Sequence, residues 1–388
     1  MKEIGLYIHI PFCKQKCKYC DFISFAKKEE MIAEYIKWLC VEIREVGEGI
    51  KRDIENKYVD KVKIKTIYIG GGTPSYINET HIKEIIKTIY ENYEIENNIE
   101  ITIEINPGTV DENKLLLYKE AGINRLSIGV QSCNNELLQM IGRIHNYEQF
   151  KETYKLARKI GFENINIDFM LGLPNQTIED INKIISEIKI LKPEHVSVYS
   201  LILEEDTPMK KLVDEKKLIM PEEELEREMY WMIKRGLEEQ GYTHYEISNF
   251  AQNGFESKHN LDCWNQKEYM GFGIGAHSYV DGARFSNTPI LEEYIENYKN
   301  NKPENNFELH EKQDKEAKMK EYMLLGLRKI KGIDCTQFET RFSKDVFEVF
   351  GNEIEKLLEK DLIEVEEGTI KLNNKGIDLA NIVWEEFV

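Results

Sequence analysis

No apolar run in this chain approaches the ~18 residues that a membrane-spanning helix requires. The first residues also lack the basic start, apolar stretch and small-residue cleavage site of a secretory signal. They enter a strand-like stretch, Ile4 to Ile10, almost at once. Excess positive charge is missing: 52 Lys and Arg face 70 Asp and Glu, a net charge of −18, the opposite of a nucleic-acid binder's basic footprint. These absences lead to the expectation of a cytoplasmic chain with no transmembrane segment and no nucleic-acid partner. Cysteine is sparse and odd in number, seven in all, with three in one short loop. That pattern excludes a disulfide framework and favours metal or redox use. There is no internal repeat and no long low-complexity tract.

With 388 residues, 41% of them hydrophobic, the chain is long enough for about two to three domains. Its first two-thirds alternate strand-like and helix-like segments. Ile4–Ile10, Thr66–Ile69, Ile99–Ile105, Arg125–Val130, Asn164–Met170 and Val196–Ile202 read as strands, with helical spacing between them. About six βα units of this kind predict an α/β fold, a parallel, barrel-like and incomplete sheet with helices outside. Ligands of such sheets sit at the C-terminal ends of the strands. The predicted division is a barrel over 1–240, an irregular connecting segment over 241–303, and a C-terminal domain over 304–388. The polar stretch Asn300–Gln313 reads as a linker, and the helix-rich tail with two short strands around Gly368 as a small winged-helix-like α+β domain.

The strand Tyr7-Ile8-His9-Ile10 runs into a C-x3-C-x2-C loop formed by Cys13, Cys17 and Cys20. Three thiolates on one tight loop can hold three irons of a cubane cluster and leave the fourth open. An open iron can chelate the amino and carboxylate groups of S-adenosylmethionine (SAM). The competing reading is a structural zinc, which needs a fourth ligand, His9 or the distant Cys40. A second motif, Gly70-Gly71-Gly72-Thr73-Pro74, follows the strand Thr66–Ile69. Glycines there let the backbone approach a ligand, and no Gly-Lys-Ser/Thr follows to make it a phosphate loop.

Together with Glu104-Ile105-Asn106-Pro107, Ser127–Ser132, Asp168–Pro174 and Gly273–Ser278, these stretches resemble the radical SAM superfamily, and more closely its HemN/HemW family of coproporphyrinogen dehydrogenase-like proteins. The resemblance spans most of the chain. It implies a partial (β/α)6 radical SAM barrel and one [4Fe–4S] cluster on Cys13, Cys17 and Cys20. It also implies a first SAM near Tyr7, Gly71, Gly72, Thr73 and Glu104, with Ile202 and His277 nearby. Gln131, Arg143 and Asp168 match positions that touch a second SAM in the dehydrogenases. Read singly, Arg143 is a surface cation and Asp168 a strand-end cap.

Two departures bear on function. The decarboxylating members carry a further Cys two residues after the third, where this chain has Phe22, and they have a long extension before the cluster strand. Both features point to the haem-chaperone branch. That branch implies haem and haem-accepting proteins, respiratory ones among them, as partners. It also implies a homodimer and peripheral contact with a membrane. His259-Asn260-Leu261-Asp262-Cys263-Trp264 resembles the family's H-N-x-x-Y-W motif, with Cys263 in place of Tyr. His259 is the expected axial ligand of haem, with Cys263 as the alternative. The second functional expectation is oxygen-independent decarboxylation of coproporphyrinogen III.

Overall fold

The computed structural model describes residues 2–58 and 60–388. Seven neighbouring strands are parallel: β1 (Lys2–Ile10), β2 (Val62–Gly71), β3 (Ile95–Ile105), β4 (Arg125–Gln131), β5 (Ile165–Leu171), β6 (His195–Ser200) and, on the far side of β1, β9 (Tyr269–Phe272). Antiparallel strands extend both ends. β8 (Asn249–Ala251) and β7 (Thr243–Glu246) follow β6, while β10 (His277–Val280), β11 (Ala283–Asn287) and β12 (Phe307–Lys312) follow β9. Among the described residues the order is β12-β11-β10-β9-β1-β2-β3-β4-β5-β6-β8-β7, with no pairing between the two end strands, so the sheet is an open barrel.

Sequence alternation explains which face is which. Ile67, Ile69, Ile101, Ile103, Leu126, Ile128, Ile167, Phe169 and Val196 are all fully buried. They share one face of the sheet with α1 (Ile32–Glu55), α2 (Glu79–Asn92), α3 (Glu112–Glu120), α4 (Asn135–Met140), α5 (Tyr147–Ile160) and α6 (Ile178–Leu191). Each such side chain contributes roughly 1.5–3 kcal/mol. The intervening residues are Thr66, Tyr68, Thr102, Glu104, Arg125, Ser127, Asn166, Asp168, His195 and Ser197. They face inward, and several hydrogen-bond to one another. Asn166 donates to Ser127 Oγ at 2.8 Å and to Asp168 at 2.7 Å, and Ser197 donates to Asn166 Oδ1 at 3.1 Å. A barrel filled by polar groups rather than Val and Ile is built to hold something.

Helix ends are set by local chemistry. Asn146 and Gln149 form a capping box at the start of α5, and Gly161 closes it with φ +94°. Thr177 and Asp180 cap α6 in the same way.

After α7 (Pro208–Asp214) and α8 (Glu223–Glu238), the segment over 241–303, expected to be irregular, instead supplies β7 to β11, α9 (Lys258–Trp264) and α10 (Leu291–Lys299). Its strands are three to five residues long and glycine-interrupted, too short for their alternation to register. The stretch read as a linker contains β12, whose six residues are all exposed, so no apolar face announces it. The C-terminal region runs α11 (Lys315–Gly326), β13 (Ile333–Asp334), α12 (Cys335–Phe342), α13 (Val346–Glu359), β14 (Ile363–Glu366) and β15 (Thr369–Leu372). Its strands form a three-stranded sheet in the order β13-β15-β14, a winged-helix-like arrangement. No described helix is long and apolar enough to cross a membrane.

Candidate functional site

At the C-terminal ends of the parallel strands lies a cavity of about 400 Å³. Of the residues singled out in the sequence for cluster, SAM or haem, all but Tyr7, Ile202, His259, Cys263 and His277 line it, drawn from five strand ends and the loop after α4. The cysteine loop forms one wall and the glycine turn the next.

The two are packed tightly. Gly72 N–H donates to the Ile10 carbonyl and Thr73 N–H to that of Phe12, each at 2.9 Å. Thr73 Oγ1 donates to Cys13 Sγ at 3.3 Å. A side chain at Gly72 would meet Cys13 Sγ at 3.0 Å, and Gly71 combines φ +114° with a His9 ring 2.7 Å from where a Cβ would stand. Glycine is required at both places.

Cys13, Cys17 and Cys20 are free thiols, and burial pushes those of Cys13 and Cys20 up. Among the described residues they do not converge as a ready three-ligand site for a single ion. Zinc needs all its ligands within ~2.3 Å of one point, whereas a cubane takes one thiolate per iron at separate corners. The three thiols line the cavity together. The proposed fourth zinc ligands are also elsewhere. Both His9 ring nitrogens are engaged, Nδ1 with Tyr7 OH at 3.0 Å and Nε2 with the Ile23 carbonyl at 2.8 Å, and Cys40 is buried on α1.

Glu104 accepts from Tyr68 OH at 2.9 Å and from Gly71 N–H at 3.1 Å. Burial pushes its carboxyl up to about 7, and the nearby Asp168 adds to this. A carboxylate so disfavoured in its charged form is suited to a cationic ligand group. Asp168 accepts from Asn166 and Ser127 and is likewise raised by burial. Gln131 sits at a break in register between β4 and β5 with φ +69°, which turns it toward the cavity. Arg143 donates to Asn106 Oδ1 at 2.7 Å and to the Gly129 carbonyl at 2.5 Å, and its Nη1 lies 3.6 Å from Cys17 Sγ. Tyr7 stands behind this wall, stacked on Tyr68 with centroids 6.3 Å apart.

His259, expected as a haem ligand, is elsewhere. It is 7% exposed inside the barrel, level with the middle of the strands. Its Nδ1 is 2.8 Å from Thr66 Oγ1, its ring packs on Tyr68, and its backbone N–H donates to Glu100. In this position it does not line the cavity at the strand ends, and its Nδ1 is already engaged. Trp264 stacks on Arg328, which also covers Trp384, so the end of the motif fastens the C-terminal domain. Cys263 is not a cavity residue, and burial pushes its thiol up to about 12. Ile202 is 70% exposed, and His277 is exposed and stacked on His310; neither lines the cavity.

Sequence reasoning gave no individual role to Asn106, Tyr19, Met170 or Tyr199, which do line it. Their signal was position: Asn106 directly precedes Pro107 at the end of β3, and Met170 and Tyr199 end β5 and β6.

Comparison with known proteins agrees with this architecture. The sequence profile of the Radical SAM superfamily matches residues 7–188, and that of the HemN C-terminal domain matches 313–379. A Bacillus subtilis protein named heme chaperone HemW is 37% identical over 98% of both chains. Its Lactococcus lactis namesake is 36% identical over 100% of this chain and 98% of its own. The solved structure of coproporphyrinogen III oxidase, HemN, from Escherichia coli superposes with a TM-score of 0.83 over 100% of this chain and 90% of that one, at 22% identity, a likeness of fold. A thiol loop over a glycine cradle at the mouth of an open parallel barrel, and full-length likeness to these relatives, place the chain in the HemN/HemW family of the radical SAM superfamily.

Proposed function

We propose that this chain is a cytoplasmic haem chaperone that carries a [4Fe–4S] cluster and SAM, binds haem and passes it to haem proteins. The observation that carries the reading is the full-length similarity, 36–37% identity, to relatives named heme chaperone HemW. Phe22 supports it. This side chain borders the cavity, is 66% exposed, and stands where the decarboxylating members have a cysteine. An exposed aromatic ring at the mouth offers apolar surface to a macrocycle and no thiol chemistry.

In this reading Cys13, Cys17 and Cys20 hold the cluster. Gly71, Gly72 and Thr73 cradle SAM, and Glu104 takes its cationic amino group, with Gln131, Arg143 and Asp168 around a second SAM position. When bound, the cluster supplies one electron to the sulfonium of SAM. The residues themselves fix backbone donors, exclude water and hold a carboxylate poised near neutrality. Haem-accepting proteins and a second copy of the chain are the partners.

The alternative is oxygen-independent coproporphyrinogen III dehydrogenase activity. One anaerobically reconstituted preparation separates the two through haem titration and a porphyrinogen turnover assay. Haem binding without conversion is the expected result. Clear SAM-dependent conversion would overturn it.

A further inference from the structure

The cysteine loop is fastened at a second place, far from the glycine turn. Three consecutive residues after α4 grip it. The Ile141 carbonyl accepts from Lys18 N–H at 3.0 Å, and the Gly142 carbonyl accepts from Gln15 Nε2 at 3.0 Å. Arg143 Nη1 reaches Cys17 Sγ at 3.6 Å. Gly142 has φ +82°, and a Cβ there would stand 3.3 Å from Lys18, so the turn is shaped to the loop. Arg143 is itself immobilised by Asn106 Oδ1 and the Gly129 carbonyl. Among the described residues no carboxylate lies within ion-pair distance of its guanidinium, and its buried Nε has no hydrogen-bond partner. A guanidinium withdrawn from water without a carboxylate needs another anion. The sulfur of Cys17 is within reach of its Nη1.

We propose that Arg143 is the countercharge of the cysteine loop. Its guanidinium, locked against Cys17, offsets negative charge on the loop's thiolates and makes the cluster they hold easier to reduce. Charge and N–H···S contacts at the sulfurs are among the factors that set the potential of such clusters. This employment is separate from the second-SAM contact that the family resemblance implies: Nη1 reaches Cys17 while Nη2 is held by Asn106 and Gly129. The proposal rests on the cluster reading.

The test uses the full chain, reconstituted anaerobically, with iron and sulfide counted and the midpoint potential measured by EPR-monitored titration. Arg143→Gln is expected to reduce at a more negative potential than wild type, and Arg143→Lys, which keeps the charge without the fork, to lie between them. Gln15→Ala, which loosens the loop and leaves the charge, is expected to lose iron faster to a chelator at an unchanged potential. Equal potentials in wild type and R143Q would overturn the proposal. If R143Q loses its cluster, retention in R143K supports the countercharge, and equal loss in both overturns it. A wild-type chain that takes up no cluster would instead sink the cluster reading.

Discussion

Thr66 and His259 meet across 193 positions of sequence, the threonine hydroxyl 2.8 Å from imidazole Nδ1. Gly5 lies beside both, and any side chain there would press on the two at about 3 Å. α9 is therefore part of the barrel's filling. Its first turn is anchored by Glu100, which accepts from the N–H groups of Lys258 and His259, and its last residue stacks on Arg328 of the C-terminal region.

A stability effect without a haem effect follows for His259. His259→Ala leaves the Thr66 hydroxyl unpaired and opens a cavity under Tyr68, a cost of about 2–4 kcal/mol in denaturant unfolding. Haem affinity and the Soret spectrum are expected to match wild type. A lost or shifted Soret band in this variant would restore the ligand assignment.

The same residue carries a pH dependence. Burial, aided by the positive charge of Arg125, lowers His259 to about 4. The unfolded value is about 6.5, so the folded chain prefers the neutral ring. Its contribution is complete above pH ~6.5 and is lost as pH falls toward 4. The stability gap between wild type and His259→Asn should thus narrow between pH 7 and 5. A gap that widens on acidification would contradict the burial argument.

Gly71 should separate SAM binding from cluster binding. Gly71→Ala places a methyl group 2.7 Å from the His9 ring at φ +114°, strain of order 1–3 kcal/mol. SAM affinity, read by calorimetry on reconstituted protein, should fall at least about tenfold. Iron content should stay near wild type, because the cysteine loop does not pass through this turn.

Glu104 and Tyr68 form a graded pair. Glu104→Gln removes the charge that faces the cavity and should weaken SAM binding by about 1.5–3 kcal/mol, the worth of a charged hydrogen bond. Tyr68→Phe removes only the 2.9 Å donor to Glu104 and should cost less. Equal losses would mean that Tyr68 touches the ligand itself.

The cysteine loop, the glycine turn and Glu104 were legible because each follows a strand whose apolar alternation is strong, and strand ends are where such sheets bind ligands. Tyr199 shares that position but lies in no motif. β12 was read as linker because its residues, exposed on both faces, show no period.

By itself, then, the sequence determined the βα order, the thiol loop and the glycine cradle, all features of local spacing and conformational freedom. Only the tertiary structure decided that β9 pairs with β1 as a seventh parallel strand, that Arg143 reaches Cys17 across 126 positions, and that His259 packs inside the barrel against Thr66. Those outcomes depend on which distant groups become buried together and on whether each buried polar atom finds a partner, and neither is written in local periodicity.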